Sequence, residues 1–342
     1  MYILFFLIFN KKNNLFYQTK MKMLPLKYIF IIFLISKIYS YETIDAYDLK
    51  TTSDVPDKSY NISKPVFSFS VDMIKYYSWW ASFGYCSYNE TLAGKCCSNN
   101  GLLENWEIIS QGYLQNMKAF SYDWVLLKSD KYQKFIISVP GTRENAQLVM
   151  EAADSYLKSY EKDPTKKIKL VNYFYDIYKR LEGALFSPSN LEEINKHPDY
   201  QVIVTGHSLG GAVATIISFA IKYEKYFNNS LVLITFGQPR TGNYYFAEYV
   251  TSNVDHIFRI ARQGDIVVSI PIHTAIMRHS NNYWHIGGLI VLSKDMDKFY
   301  KCDYDLFEDG SDVCKYSIEL NINSHTYYFN PKTTISSRCA SS

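Results

Sequence analysis

The pattern of apolar and polar positions predicts strands that alternate with helices over most of the chain. Short apolar, β-branched runs at residues 202–204, 231–236 and 256–261 are typical of buried strands, and residues 123–128 and 132–139 predict two strands joined by a turn at Ser129–Asp130. Helical periodicity covers residues 70–85, 144–159, 171–185 and 191–196, and another helix follows residue 212. This alternation favours an α/β fold in which helices cover both faces of a mostly parallel sheet.

The stretch from residue 200 to 212 (YQVIVTGHSLGGA) contains the most informative motif. Gly206, His207, Ser208, Leu209 and Gly210 form a G-x-S-x-G sequence between a predicted buried strand and a predicted helix. This context is typical of a nucleophile elbow, which presents the serine hydroxyl at the carboxyl end of a sheet. The two glycines let strand and helix pack closely. The alternative interpretation is a glycine-rich strand-to-helix turn without chemical function.

A serine nucleophile requires a histidine base and a carboxylate that orients it. On this fold the chain order is serine, acid, histidine, and Asp265 follows the predicted strand that ends at residue 261. An ordinary turn aspartate is the alternative interpretation of Asp265. The downstream histidines are His256, His273, His279, His285 and His325. The first begins a strand at the wrong end, and the next two lie too near the acid. Spacing alone leaves His285 and His325 open.

The amino terminus predicts secretion. Residues 1–40 are interpreted as a signal-peptide region, with Met21 and Met23 as alternative starts, because residues 21–40 have a lysine-bearing start, an apolar core and Ser40 at a cleavage position. An uncleaved signal anchor is the alternative. Residues 41–66 are polar and predict a flexible leader or propeptide, and residues 67–342 predict one domain. Six cysteines and three glycosylation sequons also favour secretion, and the sequons lie at Asn61, Asn89 and Asn228.

Composition and cysteine spacing restrict the function classes. The chain has 342 residues and a net charge of +3 without a basic cluster, so no nucleic-acid partner is expected. We expect Cys302–Cys314 as a local disulfide and Cys86–Cys339 as a link between the chain ends; the pairing of Cys96 and Cys97 stays open. No C-x-x-C pair supplies tetrahedral ligand spacing, so no metal site is predicted. Hydrolysis by a serine nucleophile needs no cofactor, and none is predicted.

Several separated motifs, taken together, resemble the class 3 (fungal-type) lipases, a secreted family with the α/β-hydrolase fold. The similar segments cover residues 70–339 in the family's order. They are ISVPGT (137–142), VTGHSLGGA (204–212), ITFGQPRTGN (234–243), RIARQGDIVVSIP (259–271), YWHIGG (283–288) and the segment that begins CDYDLF and ends NSHTYYF (302–329).

The resemblance implies roles for individual residues. The family's base lies in an H-x-x-Y-F segment, which implies Ser208, Asp265 and His325 as the triad and a non-catalytic His285. It implies Thr142 as an oxyanion-hole residue, together with the N–H of Leu209. The helix at 144–159 corresponds to the family's lid, although an amphipathic core helix has the same pattern. Its apolar side would include Leu148, Val149, Met150 and Leu157.

Together these observations predict a secreted serine carboxyl-ester hydrolase, a triacylglycerol lipase that acts at an oil–water or membrane surface without an obligate protein partner. A phospholipase or a feruloyl-type esterase on the same triad is one alternative, and a catalytically inert lipid-binding homologue is another. The chain departs from the family pattern at Pro140, Asn172, Tyr173 and Leu289. These positions bear on the shape of the pocket and leave the triad intact.

Overall fold

A mixed sheet of nine strands organises the described part of the protein, and a two-stranded ribbon lies outside it. The structure is a computed structural model that describes residues 42–46, 61, 64–86, 97, 101–117, 120–142, 156–273, 277–302, 323–330 and 332–339. The strands are β1 Glu42–Ala46, β2 Glu107–Met117, β3 Phe120–Ser129, β4 Lys134–Val139, β5 Leu157–Ser159, β6 Lys169–Val171, β7 Gln201–His207, β8 Leu231–Phe236, β9 His256–Arg262, β10 Leu289–Leu292 and β11 Lys298–Lys301. The helices are α1 Val71–Phe83, α2 Asn172–Leu185, α3 Pro188–Asn195, α4 Leu209–Glu224, α5 Tyr244–Asn253 and α6 Asn323–Thr326.

The centre of the large sheet is parallel and its margins are antiparallel. The strand order is β1-β11-β10-β9-β8-β7-β4-β3-β2, and the pairs from β4 through β7, β8 and β9 to β10 are all parallel. Every residue of β4, β7 and β8 is buried. Because parallel strands end at the same edge, the loops that follow β4, β7, β8 and β9 meet there.

Helices cover the two faces of the sheet with separate apolar clusters. One face packs against α2 and α4, with Tyr178 and Phe219 among the fully buried side chains. The other face packs against α1 and the carboxyl-terminal residues, with Trp80 and Tyr328 at its centre. The predicted α/β architecture with a mostly parallel, two-sided sheet is therefore confirmed.

Most predicted elements are present, with one exception and several additions. Residues 157–159 form strand β5, which pairs with β6, so the predicted helix over 144–159 is wrong at its carboxyl-terminal end. The other predicted lid residues, Leu148, Val149 and Met150, lie outside the described residues. Strands β1, β2, β6, β10 and β11 and helices α5 and α6 were not predicted. Five of these elements, β1, β6, β10, β11 and α6, are too short to show a clear period, and β2 is rich in polar residues.

The expected flexible leader is corrected at two places. Strand β1 pairs with β11 at the margin of the sheet, with Thr43 opposite Tyr300. Farther along, the backbone of Val66 bonds to the side chain of Gln201 at the start of β7. The ammonium of Lys134 donates to the Lys64 carbonyl at 2.9 Å, and burial lowers the pKa of Lys134 to about 8. Residues 64–66 are therefore part of the packed domain.

The predicted Cys86–Cys339 disulfide is wrong, because Cys339 pairs with Cys97. The Cα atoms of Cys97 and Cys339 lie 4.6 Å apart, within the normal range for a disulfide, and the Cys97 N–H donates to the Cys339 carbonyl. Cys86 and Cys302 are also disulfide-bonded. The pairing of Cys302 with Cys314 stays a prediction, since Cys314 lies outside the described residues.

Other predictions concern residues that the structure describes only in part. The signal region 1–40 and the sequon at Asn89 lie outside the described residues, whereas the side chains of Asn61 and Asn228 are exposed. Glycosylation at these positions stays a prediction. No helix within the described ranges is long and apolar enough to cross a membrane.

The half-buried carboxylate of Glu182 on α2 should make the fold less stable in acid. Glu182 accepts hydrogen bonds from Lys179 (2.6 Å), Lys162 (3.1 Å), Tyr178 (3.0 Å) and Tyr226 (3.1 Å). Burial raises the pKa of Glu182, but the bonds from Lys179, Lys162 and Tyr178 outweigh it and bring the pKa to about 2. The carboxylate therefore stabilises the fold above its ordinary pKa of 4.5, and that contribution is lost as the pH falls towards 2.

We expect Glu182→Gln to lower the free energy of unfolding by about 1–2 kcal/mol at neutral pH, since the pair is partly screened by solvent. The difference from the unmodified protein should shrink as the pH falls below 4.5. Urea denaturation at neutral and at acid pH measures both effects. Glu192→Gln, a change on α3 that removes an exposed ion pair with Lys196, serves as the control. An equal loss of stability in both variants would contradict the prediction.

Candidate active site

The elbow at Ser208 joins β7 to α4 through a strained residue. Ser208 has φ 58° and ψ −128°, a backbone conformation that non-glycine residues rarely adopt. A Cβ atom on Gly210 would lie 2.3 Å from the Val139 carbonyl oxygen, and one on Gly206 would lie 2.4 Å from the Gly210 carbonyl oxygen. Glycine is therefore required at both positions, as the sequence motif predicts.

Three side chains that are distant in sequence form one hydrogen-bonded row. The Ser208 hydroxyl lies 2.7 Å from Nε2 of His325, and Nδ1 of His325 lies 3.0 and 2.9 Å from the two carboxylate oxygens of Asp265. All three side chains are buried. Because the carboxylate can only accept from Nδ1–H, Nε2 is left to accept the serine proton. The structure thus brings together the serine, acid and histidine that the sequence singled out.

Asp265 is fully buried and accepts two hydrogen bonds in addition to that of the imidazole. The N–H of Val267 donates to Oδ1 at 2.9 Å, and the hydroxyl of Tyr328 donates to Oδ2 at 2.8 Å. Burial, followed by the charge of Asp265, raises the pKa of Tyr328 well above its ordinary value, so the phenol remains a donor. The bonds from Val267 and Tyr328 fix the orientation of the carboxylate towards His325.

His207, the variable residue of the elbow motif, supports the imidazole of His325 from the other side. Its ring stacks on that of His325 with 4.6 Å between centroids, and its Nε2–H donates to the His325 carbonyl at 2.9 Å. The Tyr85 hydroxyl therefore donates to Nδ1 of His207, at 2.7 Å. Burial, and then the neighbouring His325, lower the pKa of His207 well below its ordinary value. A neutral ring thus faces His325.

The other downstream histidines are placed elsewhere. His285 is buried and donates from Nε2 to the Val268 carbonyl at 2.7 Å, and burial followed by nearby arginine charges lowers its pKa. His273 donates to the Tyr283 carbonyl. His256 begins β9, at the opposite edge of the sheet from Ser208. Nε2 of His285 is therefore already engaged by a carbonyl, whereas Nε2 of His325 lies beside the Ser208 hydroxyl.

The two predicted oxyanion-hole residues lie beside the serine. Leu209 is the first residue of α4, where the backbone N–H groups of the first turn have no partner within the helix. Thr142 follows β4, and the residue before it approaches the elbow closely: a Cβ on Gly141 would lie 3.1 Å from Cβ of Ser208. This arrangement suits donors aimed at an oxygen next to the serine. The donor role itself stays a proposal.

Sequence analysis did not predict the contacts that Tyr328 and Arg240 make around the site. The Tyr328 bond to Asp265 could have been anticipated, because the H-x-x-Y spacing places a hydroxyl one turn from the imidazole. Arg240, in the ITFGQPRTGN motif, donates to the carbonyls of Ser269 and Pro271 and so fastens the loop after Asp265. No local sequence pattern predicts that Arg240 bonds to this loop, because the loop lies about thirty residues away in sequence.

We expect Tyr328→Phe to lower kcat/KM for a soluble ester about 10- to 100-fold, because it removes a hydrogen bond to a buried charged group. The phenyl ring keeps its packing against Phe236, so the fold should persist. Steady-state kinetics and a thermal melt measure both properties. The control is Tyr327→Phe, a neighbouring half-buried tyrosine. Unchanged kinetics in Tyr328→Phe would refute a role for this hydrogen bond.

Comparison with known proteins agrees with this geometry. Residues 136–275 match the family described as Lipase (class 3). The secreted mono- and diacylglycerol lipase 1 of Fusarium solani is 31% identical over 141 residues, 40% of this chain and 40% of that protein. A lipase of Rhizopus niveus is 32% identical over 148 residues, 43% of this chain and 37% of that protein. The matches thus span about two fifths of the length of these curated relatives.

Solved structures resemble a larger part of the chain. Lipase II from Rhizopus niveus has a TM-score of 0.61 at 24% identity and covers 77% of this chain and 96% of that chain. A Rhizomucor miehei lipase propeptide complex has a TM-score of 0.63 at 23% identity, covering 78% and 81%. The chain therefore has the α/β-hydrolase fold. The segment from β4 to the loop after Asp265, about two fifths of the chain, is similar to the class 3 lipase family.

Proposed function

We propose that the protein is a secreted serine hydrolase that cleaves fatty acyl esters, most specifically a triacylglycerol lipase. The observation that carries this proposal is the 2.7 Å contact between the Ser208 hydroxyl and Nε2 of His325, with Asp265 bonded to Nδ1. A free serine hydroxyl is a poor nucleophile at neutral pH. A histidine base in direct contact with it, oriented by a buried carboxylate, removes that barrier.

In the first half of the reaction, His325 takes the proton of Ser208 as the serine oxygen attacks the ester carbonyl carbon. The resulting imidazolium is stabilised by Asp265, which keeps its bonds from Tyr328 and Val267. The N–H groups of Leu209 and Thr142 stabilise the negative charge on the carbonyl oxygen. His325 then protonates the leaving alcohol, and the acyl group remains on Ser208.

In the second half, water replaces the alcohol. His325 takes a proton from the water, the resulting hydroxide attacks the acyl carbon, and His325 returns the proton to Ser208 as the fatty acid leaves. The neutral His207 ring supports this cycle, because a second positive charge stacked on His325 would oppose formation of the imidazolium.

The substrate class and the location are supported by the relatives. The Fusarium solani and Penicillium camembertii proteins are named as secreted mono- and diacylglycerol lipases, and the Rhizopus proteins as lipases. The family match over residues 136–275 contains β7 and the elbow and therefore the proposed nucleophile. Acylglycerols at an oil–water or membrane surface are accordingly the proposed substrates. The chemistry requires no obligate protein partner.

A fluorophosphonate probe tests the proposal directly. The full chain should be labelled on one peptide, the one that contains Ser208, and prior treatment with an ester substrate should slow the labelling. Hydrolysis should then be compared for emulsified triacylglycerols, phospholipid vesicles, feruloyl esters and short soluble esters. We expect the highest rate on emulsified acylglycerols. A preference for phospholipids or feruloyl esters would replace the proposed substrate, and absence of labelling would indicate an inert lipid-binding protein.

A further inference from the structure

The backbone around the base is held by groups from other parts of the fold. Helix α6, which contains His325, is a single turn, Asn323–Thr326. A helix this short has little stability of its own, and the carbonyls at its carboxyl end have no partner within the helix. We therefore expect donors from elsewhere in the chain to keep this segment beside Ser208.

The carbonyls of residues 325–328 all accept hydrogen bonds from distant parts of the chain. The four donors, in the order of the carbonyls, are the side chain of His207, the N–H of Ile335, and the guanidinium groups of Arg262 and Arg338. The two arginines bind the carbonyls of Tyr327 and Tyr328, directly after the helix. We call Arg262 and Arg338 the arginine clamp.

Arg262 connects the turn that contains the acid to the segment that contains the base. It is the last residue of β9, and its own carbonyl accepts from the Asp265 N–H at 3.1 Å. Its guanidinium donates to the Tyr327 carbonyl at 2.8 Å, and its N–H donates to the Tyr328 hydroxyl oxygen at 3.1 Å. That hydroxyl in turn donates to Asp265. Arg262 thus binds both the backbone and the side chain that support the acid.

Arg338 holds Tyr328 from the side of helix α1. Its side chain is buried, its guanidinium donates to the Ser78 hydroxyl at 2.9 Å, and its Cζ atom lies 5.2 Å from the ring centroid of Trp79. The next residue, Cys339, is disulfide-bonded. These contacts fix the planar guanidinium in one orientation, so it reaches the Tyr328 carbonyl as a preorganised donor.

The charge of Arg338 also acts on a neighbour of the base. Burial and then the charge of His325 are the main causes of the lowered pKa of His207, and the Arg338 guanidinium acts in the same direction. A buried arginine is costly unless its charge and its donors are engaged. The donors of Arg338 bind Tyr328 and Ser78 and do not contact the triad, so the role that we infer is one of position.

We propose that the arginine clamp aligns the Tyr328 hydroxyl on Asp265, so that Arg262 and Arg338 are positioning residues of the triad. Both ends of Tyr328 are held, the hydroxyl by the Arg262 N–H and the carbonyl by the Arg338 guanidinium. A carboxylate that keeps its orientation keeps the His325 imidazole directed at the serine. A displacement of about 1 Å in such a row can cost about 100-fold in rate. The inference rests on the proposed function, since it concerns how the same triad is held.

Kinetics of the full chain on a soluble ester test the arginine clamp. Arg338→Met and Arg262→Met keep much of the side-chain volume and remove the guanidinium donors. Each should lower kcat about tenfold and leave KM within about twofold, because alignment of the triad matters in the transition state and not in binding of the ester. Arg338→Lys retains one charged donor and should lose less activity than Arg338→Met. Arg262 is only partly buried, so its variant carries the test if Arg338→Met fails to fold.

Asn190 provides the matched control, because its side chain makes the same kind of contact at the opposite edge of the sheet. Its buried amide donates to the carbonyls of Ala184 and Leu185, the last two residues of α2, at 3.2 and 3.0 Å. Helix α3, on which Asn190 lies, leads into the start of β7, at the edge opposite Ser208. Asn190→Ala should lower the thermal midpoint and leave kcat and KM within about twofold.

A double-mutant cycle tests whether the arginine clamp acts through Tyr328. In the Tyr328→Phe background, Arg338→Met should lower kcat by less than about twofold, because the hydroxyl that it aligns is already absent. Losses that multiply in full would show that Arg338 acts by another route and would overturn the proposal. An unchanged kcat in both arginine variants, or an equal loss in Asn190→Ala, would overturn it as well.

Proton NMR provides a readout that does not depend on activity. The proton on Nδ1 of His325, which lies 2.9 Å from Asp265, should give a low-field resonance, and Asp265→Asn identifies this resonance by its loss. We expect the resonance to move upfield and to broaden in both arginine variants and to stay in place in Asn190→Ala. An unmoved resonance would reject the arginine clamp whatever the activity. If the unmodified chain hydrolysed no ester while the resonance still depended on the two arginines, the proposed function alone would fail.

Discussion

Ser208→Ala is expected to lower kcat for a soluble p-nitrophenyl ester about 10⁵- to 10⁶-fold and to abolish fluorophosphonate labelling. The change removes the oxygen that lies 2.7 Å from Nε2 of His325 and leaves the rest of the row in place. Alanine retains Cβ, so the φ of 58° at this position is strained to a similar degree in both proteins. The thermal midpoint should therefore change little, and the loss would be chemical.

The control for this variant is Ser218→Ala. Ser218 is also buried on α4, where its hydroxyl donates to the Ala214 carbonyl, away from the elbow. Its removal should leave kcat within about twofold, since it contacts no group of the proposed reaction. Hydrolysis by Ser208→Ala that remains above about a thousandth of the normal rate would reject this serine as the nucleophile.

Asp265→Asn is expected to lower kcat about 10⁴-fold with the fold retained. The carboxylate oxygens lie 3.0 and 2.9 Å from Nδ1 of His325 and accept its proton. A carboxamide can turn its NH₂ group towards Nδ1, which stabilises the tautomer whose proton is on Nε2. In that tautomer Nε2 cannot accept the proton of Ser208, and the imidazolium loses its counter-charge.

Kinetics on a soluble ester, together with a thermal melt, test the Asp265 prediction. Asp255→Asn is the control. Asp255 accepts from the Leu231 N–H and pairs with Lys222, and it lies just before β9, at the opposite edge of the sheet from Ser208. We expect a modest loss of stability and normal kinetics in this variant. If Asp265→Asn kept more than about a tenth of the activity, the acid would have to be sought elsewhere.

Local sequence patterns contained most of the information about the elbow. The apolar run before Gly206 and the helix after Ser208 are visible at separations of two to four residues, the range over which strand and helix periodicities act. The glycines are required by contacts within that same unit and with Val139, the last residue of β4, and Pro140, which follows it. For this reason the motif could be recognised before its surroundings were known.

The choice between His285 and His325 illustrates the limit of that information. Both follow Asp265 in the order that the fold demands, and spacing did not separate them. In the structure, Nε2 of His285 is occupied by the Val268 carbonyl, whereas Nε2 of His325 faces Ser208. Resemblance to a family suggested the second, but only packing across 117 residues of chain makes it a contact.

The sequence by itself determined the alternation of strands and helices, the glycine-framed turn at Ser208 and the order of the candidate residues, because these depend on neighbours close along the chain. Tertiary structure alone decided that Cys339 pairs with Cys97, that residues 64–66 pack onto Lys134 and Gln201, and that Tyr328 holds Asp265. Each of these contacts joins residues far apart in sequence. Their energies depend on which surfaces the sheet brings together, and no short-range pattern records that.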